Sequence, residues 1–182
     1  MADTKHNGPI VHTINGNEPP MVLSRDSTFM GMALMMSALS KDPSTQVGAV
    51  IVGRDKRILS VGYNGTPKAM DDADFPWGKT DPDPLRTKYP FVIHAERNAV
   101  LNTKGPLEQL ENATMYVTLF PCNECMKSVA QSGIKRLVYY KGPREHTLES
   151  WDAPMQLAQM CGIQVDEYQP DNEHGTTVIL EL

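Results

Sequence analysis

Two short segments of this chain hold residues that can bind a metal and move a proton: His94-Ala95-Glu96 and Cys122-Asn123-Glu124-Cys125. Pro121 just ahead of the second segment marks a helix start, and residues three apart on a helix share a face. The two sulfurs therefore converge on one point. Free N–H groups and the positive end of a helix dipole lower thiol pKa values and favour the thiolate that binds metal. Taken alone, Cys-x-x-Cys fits a redox pair, half of a structural zinc site, or an accident. With His94 the set becomes two thiolates and one imidazole, a three-ligand zinc site whose open fourth position marks a catalytic centre. A structural site needs a fourth protein ligand. His146 is available, but it follows Gly142-Pro143 in a loop and no spacing ties it to the others. Two thiolates cancel the charge of Zn2+, yet the ion still lowers the pKa of water toward neutrality. Glu96 then has a use, taking a proton from attacking water and returning it to the substrate. The competing reading of Glu96 is a solvated glutamate near a helix start.

The elements that must position these residues follow from local pattern. A Met-rich helix is expected from Ser27 or Thr28 to about Ser40, where Lys41-Asp42-Pro43 stops it. Its methionines are read as core. Residues 46–52 (QVGAVIV) and 57–61 (RILSV) are β-branched runs joined by Gly53-Arg54-Asp55-Lys56, a hairpin pattern. The stretch 62–90 is rich in Pro and Asp and too long for a plain connector, which suggests a functional loop. Beyond it the pattern alternates: helix 94–103, strand 114–120, helix 122–132 with Gly133 as its stop, strand 136–140. A third helix, 148–161, is interrupted by Pro154 and precedes a strand at 163–167. Alternating strands and helices imply a three-layer α/β domain with parallel pairs. The ends divide the chain into a flexible N-terminal arm (1–24), one domain (25–170) and a C-terminal tail (171–182) ending in TTVILEL, an edge strand or an oligomer contact.

Composition narrows the function classes. The 182 residues, 40% of them hydrophobic, suit one domain with one core. A formal net charge of -5 supplies no field for a polyanion, so a nucleic-acid binder is disfavoured and an anionic ligand needs a local basic pocket. The N-terminus lacks the apolar segment of a signal peptide. The apolar run at 29–39 is too short to cross a bilayer. Export and membrane insertion are not expected, and the three cysteines make no disulfide framework. A cytoplasmic protein follows, with Cys161 as a small core residue.

His-x-Glu followed by Pro-Cys-x-x-Cys is the signature of the zinc nucleobase deaminases. Within that superfamily the chain resembles the deoxycytidylate deaminases, through KDPSTQVGAVIV at 41–52, GYNGTP at 62–67, DD at 71–72, TKYPFVIHAERNA at 87–99 and TMYVTLFPCNECMKSVAQSGIKRLVYY at 114–140. The resemblance implies a three-layer α-β-α fold around a mixed five-stranded sheet. It further implies conversion of dCMP to dUMP and ammonia, the dUMP serving thymidylate synthesis. Zinc is expected once per chain, on His94, Cys122 and Cys125, with Glu96 as the catalytic acid-base. By the same resemblance, Asn64 meets the substrate sugar and the Ala95 backbone N–H faces the pyrimidine. Tyr140, Lys41 and Gln46 are candidates for sugar and phosphate contacts. Members form hexamers activated by dCTP with magnesium (Mg2+) and inhibited by dTTP. The loop from Gly62 to Asp72, with Asn64, Gly65 and Asp72, is assigned to those effectors.

Three alternatives stay open on sequence. Another deaminase of the superfamily shares the zinc chemistry, and a nucleoside substrate needs no phosphate pocket; the cation for a phosphate is Lys41, Arg97, Lys127 or Arg144. A zinc-stabilised, non-catalytic nucleotide-binding module has no use for Glu96. A redox protein would cycle Cys122 and Cys125 between dithiol and disulfide.

Overall fold

The computed structural model describes residues 23–71 and 73–171. Five strands form one mixed sheet in the order β2-β1-β3-β4-β5: β1 (Gly48–Val52), β2 (Ile58–Tyr63), β3 (Thr114–Leu119), β4 (Arg136–Lys141) and β5 (Gln164–Glu167). β1 runs antiparallel to both β2 and β3, whereas β3, β4 and β5 are parallel. Among the described residues, four α-helices cover it: α1 (Arg25–Ser37), α2 (Ala95–Leu101), α3 (Asn123–Gln131) and α4 (Ala153–Met160). This is the three-layer α-β-α architecture with a mixed five-stranded sheet that the sequence leads one to expect.

The layering follows from the alternation of side chains along a strand. Val50, Val52, Tyr116 and Val138 face α1 and pack on Phe29, Met30 and Ala33. Ala49, Ile51, Met115, Val117, Leu137 and Tyr139 face the other way, toward Ala95 and Ala99 of α2, Met126 and Val129 of α3, and Ala158 of α4. Because both faces of β1 are covered, all of its residues are buried, as a continuous apolar run predicts.

Three local expectations need correction. α1 begins at Arg25, because Ser24 and not Ser27 is the cap: its side chain accepts from the Ser27 N–H at 3.0 Å. The helix also ends at Ser37, short of Lys41-Asp42-Pro43. The methionines of α1 divide between core and surface, with Met30 fully buried and Met32 and Met35 exposed, since a helix alone on its layer buries only one face. Pro154 does not break the third helix. It lies near the start of α4, preceded by a wide turn (Leu148–Asp152) in which the Asp152 and Ala153 N–H groups reach back to Thr147 and Leu148.

One polar network ties the outer layer to the sheet. Arg136 grips Asp26 through two nitrogens at 2.9 and 2.7 Å and Asp166 through a third at 2.7 Å, while the Tyr116 hydroxyl donates to Asp26. The Arg136 guanidinium holds the Asp26 carboxyl below its ordinary range. At the edges of the expected domain, the Ser24 N–H donates to Asp171 at 2.8 Å. The expected arm up to residue 22, the tail from residue 172 and Asp72 lie outside the described residues. Among the described residues no helix is long and apolar enough to cross a membrane.

Candidate active site

His94 and Cys122 are both helix caps, not first-turn residues. His94 precedes α2 and Cys122 precedes α3, each in extended backbone and with no side-chain cap bond, which leaves the imidazole and the thiol free for other partners. Cys125 follows one turn into α3. The His94 Nδ1 lies 3.6 Å from Cys122 Sγ and 3.3 Å from Cys125 Sγ, and the three ligand atoms all fall within 4.8 Å of one another. Two soft thiols and one imidazole at this separation suit zinc. Such an ion supplies Lewis acidity and brings the pKa of water near neutrality.

The electrostatics favour metal. The Cys125 thiol, together with His94, holds the Cys122 sulfur down to about 3, so it stands as a thiolate. The same sulfur contact and burial push Cys125 up. Binding a metal here therefore releases the Cys125 proton. His94 is raised by its hydrogen bond with Cys122. Glu96, two residues along in the first turn of α2, is 4% exposed, and burial raises its carboxyl above the ordinary value. A buried carboxyl with a raised pKa takes up a proton more readily, the property an acid-base shuttle needs.

The cluster lies at one end of a cleft of about 770 Å³. The cleft opens at the carboxyl ends of β3 and β4, beside the antiparallel start of β1, the crevice where α/β sheets hold ligands. Asn64, Ala95, Gln46 and Tyr140 line it together with His94, Glu96 and Cys122. Ala95 is the first residue of α2, so its N–H is among the amides without an intrahelical partner. Of the cations considered for a phosphate, only Arg144 lines this cleft; Lys79, Lys88 and Lys141 are there as well. Lys41 and Gly65 instead line a second hollow of about 220 Å³, with Lys68, Trp77, Asn98 and Asn102. Gly65 of that hollow is joined by a pair of backbone hydrogen bonds, Gly65 N–H to Ile93 at 3.0 Å and Ile93 N–H to Gly65 at 2.9 Å, to the residue immediately before His94.

Sequence reasoning missed Asp42 and Lys88. Asp42 is 2% exposed and Lys88 is 5% exposed, and they form a buried ion pair on the wall of the cleft. Asp42 reads as part of a helix stop and Lys88 as part of the 62–90 loop, and although both lie in segments that carry the family resemblance, neither takes a role from it. Nothing in local pattern reports that residues 46 apart will pair.

Comparison with known proteins agrees with this geometry. Residues 23–141 match the family model described as the cytidine and deoxycytidylate deaminase zinc-binding region. The chain is 40% identical to deoxycytidylate deaminase of Mus musculus over 142 residues, which covers 78% of each chain. It is 39% identical to the Homo sapiens enzyme of that name over the same coverage. Among solved structures, the dCMP deaminase of cyanophage S-TIM5 in complex with dCMP and dUMP superposes with a TM-score of 0.62 at 28% identity, covering 78% of this chain and 94% of that one. With its His94, Cys122 and Cys125 cluster at the starts of α2 and α3, this chain belongs to the zinc-binding cytidine and deoxycytidylate deaminase family.

Proposed function

We propose that this protein converts dCMP to dUMP and ammonia by zinc-dependent hydrolysis, with the metal on His94, Cys122 and Cys125, one ion per chain. The observation that carries the reading is Glu96, a buried carboxyl in the cleft that holds the three-ligand cluster. A structural metal site has no use for a proton acceptor there. Glu96 takes one proton from the attacking water and delivers it to the ring nitrogen beside the amino-bearing carbon. It then takes the second proton from the hydroxyl newly bonded to that carbon and passes it to the amino group, which leaves as ammonia as the C–N bond breaks and the carbonyl forms. The Ala95 N–H faces the pyrimidine, Asn64 meets the sugar, and Gln46 and Tyr140 border the same space.

A nucleotide reading needs a basic pocket in an acidic chain. Lys79, Lys141 and Arg144, which line the cleft together with Tyr140, supply one, and they are preferred to Lys41, Arg97 and Lys127, which do not line it. Lys41 belongs with the hollow beside Gly65. That hollow, lined by Lys41, Lys68 and Trp77 among others, suits an effector nucleotide: dCTP with magnesium as activator and dTTP as inhibitor. Gly65 lines that hollow, and its bridge to Ile93 leads to His94. A hexamer is the assembly the resemblance implies.

The test is ammonia release from dCMP, deoxycytidine, CMP and cytidine, with and without dCTP or dTTP. Turnover of dCMP well above the others supports the nucleotide assignment. A preference for deoxycytidine would remove the phosphate pocket while leaving the metal chemistry in place.

A further inference from the structure

The least expected feature of this interior is the Lys88 ammonium, buried and paired with the Asp42 carboxylate at the cleft wall. Removing two charges from water costs several kcal/mol per ion by general estimate, so such a pair is weak evidence for stability. Its neighbours suggest another use. The other Asp42 oxygen accepts from the Ser44 and Thr45 N–H groups at 2.8 and 3.1 Å. The Lys88-paired oxygen also accepts from the Asn64 side-chain nitrogen at 3.3 Å. That nitrogen donates in addition to the Thr45 carbonyl at 2.9 Å, while the Asn64 side-chain oxygen accepts from the Val47 N–H at 2.8 Å.

Counting capacity is decisive here. A side-chain amide has two donors and an oxygen with two acceptor positions. Both Asn64 donors and one acceptor position are filled by protein, so a ligand is offered only an acceptor. Turning the amide over would set its NH₂ against the Val47 N–H and its oxygen against the Thr45 carbonyl and the Asp42 carboxylate. The orientation holds while Asp42 remains an acceptor, and Lys88, with the Ser44 and Thr45 N–H groups, favours its charged form.

We propose that Lys88 and Asp42 are positioning residues that lock the Asn64 amide, so that the cleft presents a hydrogen-bond acceptor to a sugar hydroxyl. The inference rests on the reading of Asn64 as the sugar contact. The long loop acquires a structural role in this way. Lys88 sits near its end, tied by its N–H to the Gly78 carbonyl at 2.9 Å, so folding of that loop sets the geometry of the sugar site. Without Lys88 the buried Asp42 carboxylate loses an ionic partner that lowers its pKa, and its hold on the Asn64 amide weakens.

The experiment compares wild type with Lys88→Met, and with Asp42→Asn as an independent disruption, after zinc content has been measured. Loss of one hydrogen bond predicts a rise in KM for dCMP of about three- to tenfold, with kcat changed less. For the dideoxy analogue of dCMP, which lacks the sugar hydroxyl, the rise should be absent. An equal rise for both substrates would overturn the lock, because Lys88 would then act on another part of the nucleotide. Zinc loss in both variants would overturn it too, making the pair a folding element. Independently of substrate, the Asn64 side-chain amide protons should exchange slowly in wild type and much faster in Lys88→Met, as read by NMR. Equal exchange rates would reject the lock even if the enzyme turned out not to use dCMP, an outcome that wild-type turnover reports separately.

Discussion

At the scale of single residues, the site works by giving similar groups different surroundings. Cys122 sits at a helix cap with a thiol and an imidazole beside it and stands as a thiolate, while Cys125, one turn further and more buried, holds its proton. A metal draws both to one point, so its binding free energy is also folding free energy. Cys125→Ala should therefore lose zinc and lower Tm together, as measured by metal analysis and thermal unfolding; an unchanged zinc content would remove Cys125 from the ligand set. Residue types and spacing made these ligands legible, since a three-residue separation and a His-x-Glu pair report geometry directly. Asn64 and Asp42 were a different matter. Their roles depend on which hydrogen-bond partners fill them, and those partners come from other parts of the chain.

At the scale of elements, α2, which carries Glu96, is positioned by a close approach rather than by a large side chain. Gly62 of β2 lies beneath α2, and a Cβ there would overlap the Ala95 carbonyl and the Ala99 backbone. Gly48 of β1 plays the same part for α1, where a Cβ would run into the Ala33 carbonyl and the Ser37 N–H. The hairpin between them is thin enough for a helix on either face. Gly62→Ala should cost about 1–3 kcal/mol through overpacking. It should also lower kcat, because the helix it displaces carries Glu96. Unfolding and steady-state kinetics check this, and unchanged values for both would mean that α2 has room to move. Strands and helices were legible because their periods differ, with ends displaced by a few residues where a cap decided the boundary. Ser24 caps α1 where Ser27 and Thr28 were also eligible, and His94 is the cap of α2 and not its first residue.

At the scale of the whole molecule, a sheet that switches from antiparallel to parallel beside β3 creates the crevice, and two helix starts supply its metal ligands. The layering was legible in the alternation of strands and helices. The exposure of Met32 and Met35 was not, because a hydrophobic helix reads the same whether one or both of its faces are covered. The separation of Lys41 from Gln46 into different hollows was equally invisible, since five residues in sequence say nothing about which side of a wall each faces. The central claim is that this fold brings a buried acid-base to a zinc cluster in order to deaminate dCMP. The most direct measurement is ammonia release from dCMP by wild type and by Glu96→Gln, with zinc content matched. Wild type should turn dCMP over, and the variant should lose about 10²- to 10⁴-fold with zinc retained. Equal turnover in the two proteins, or no turnover by zinc-loaded wild type, would contradict the claim.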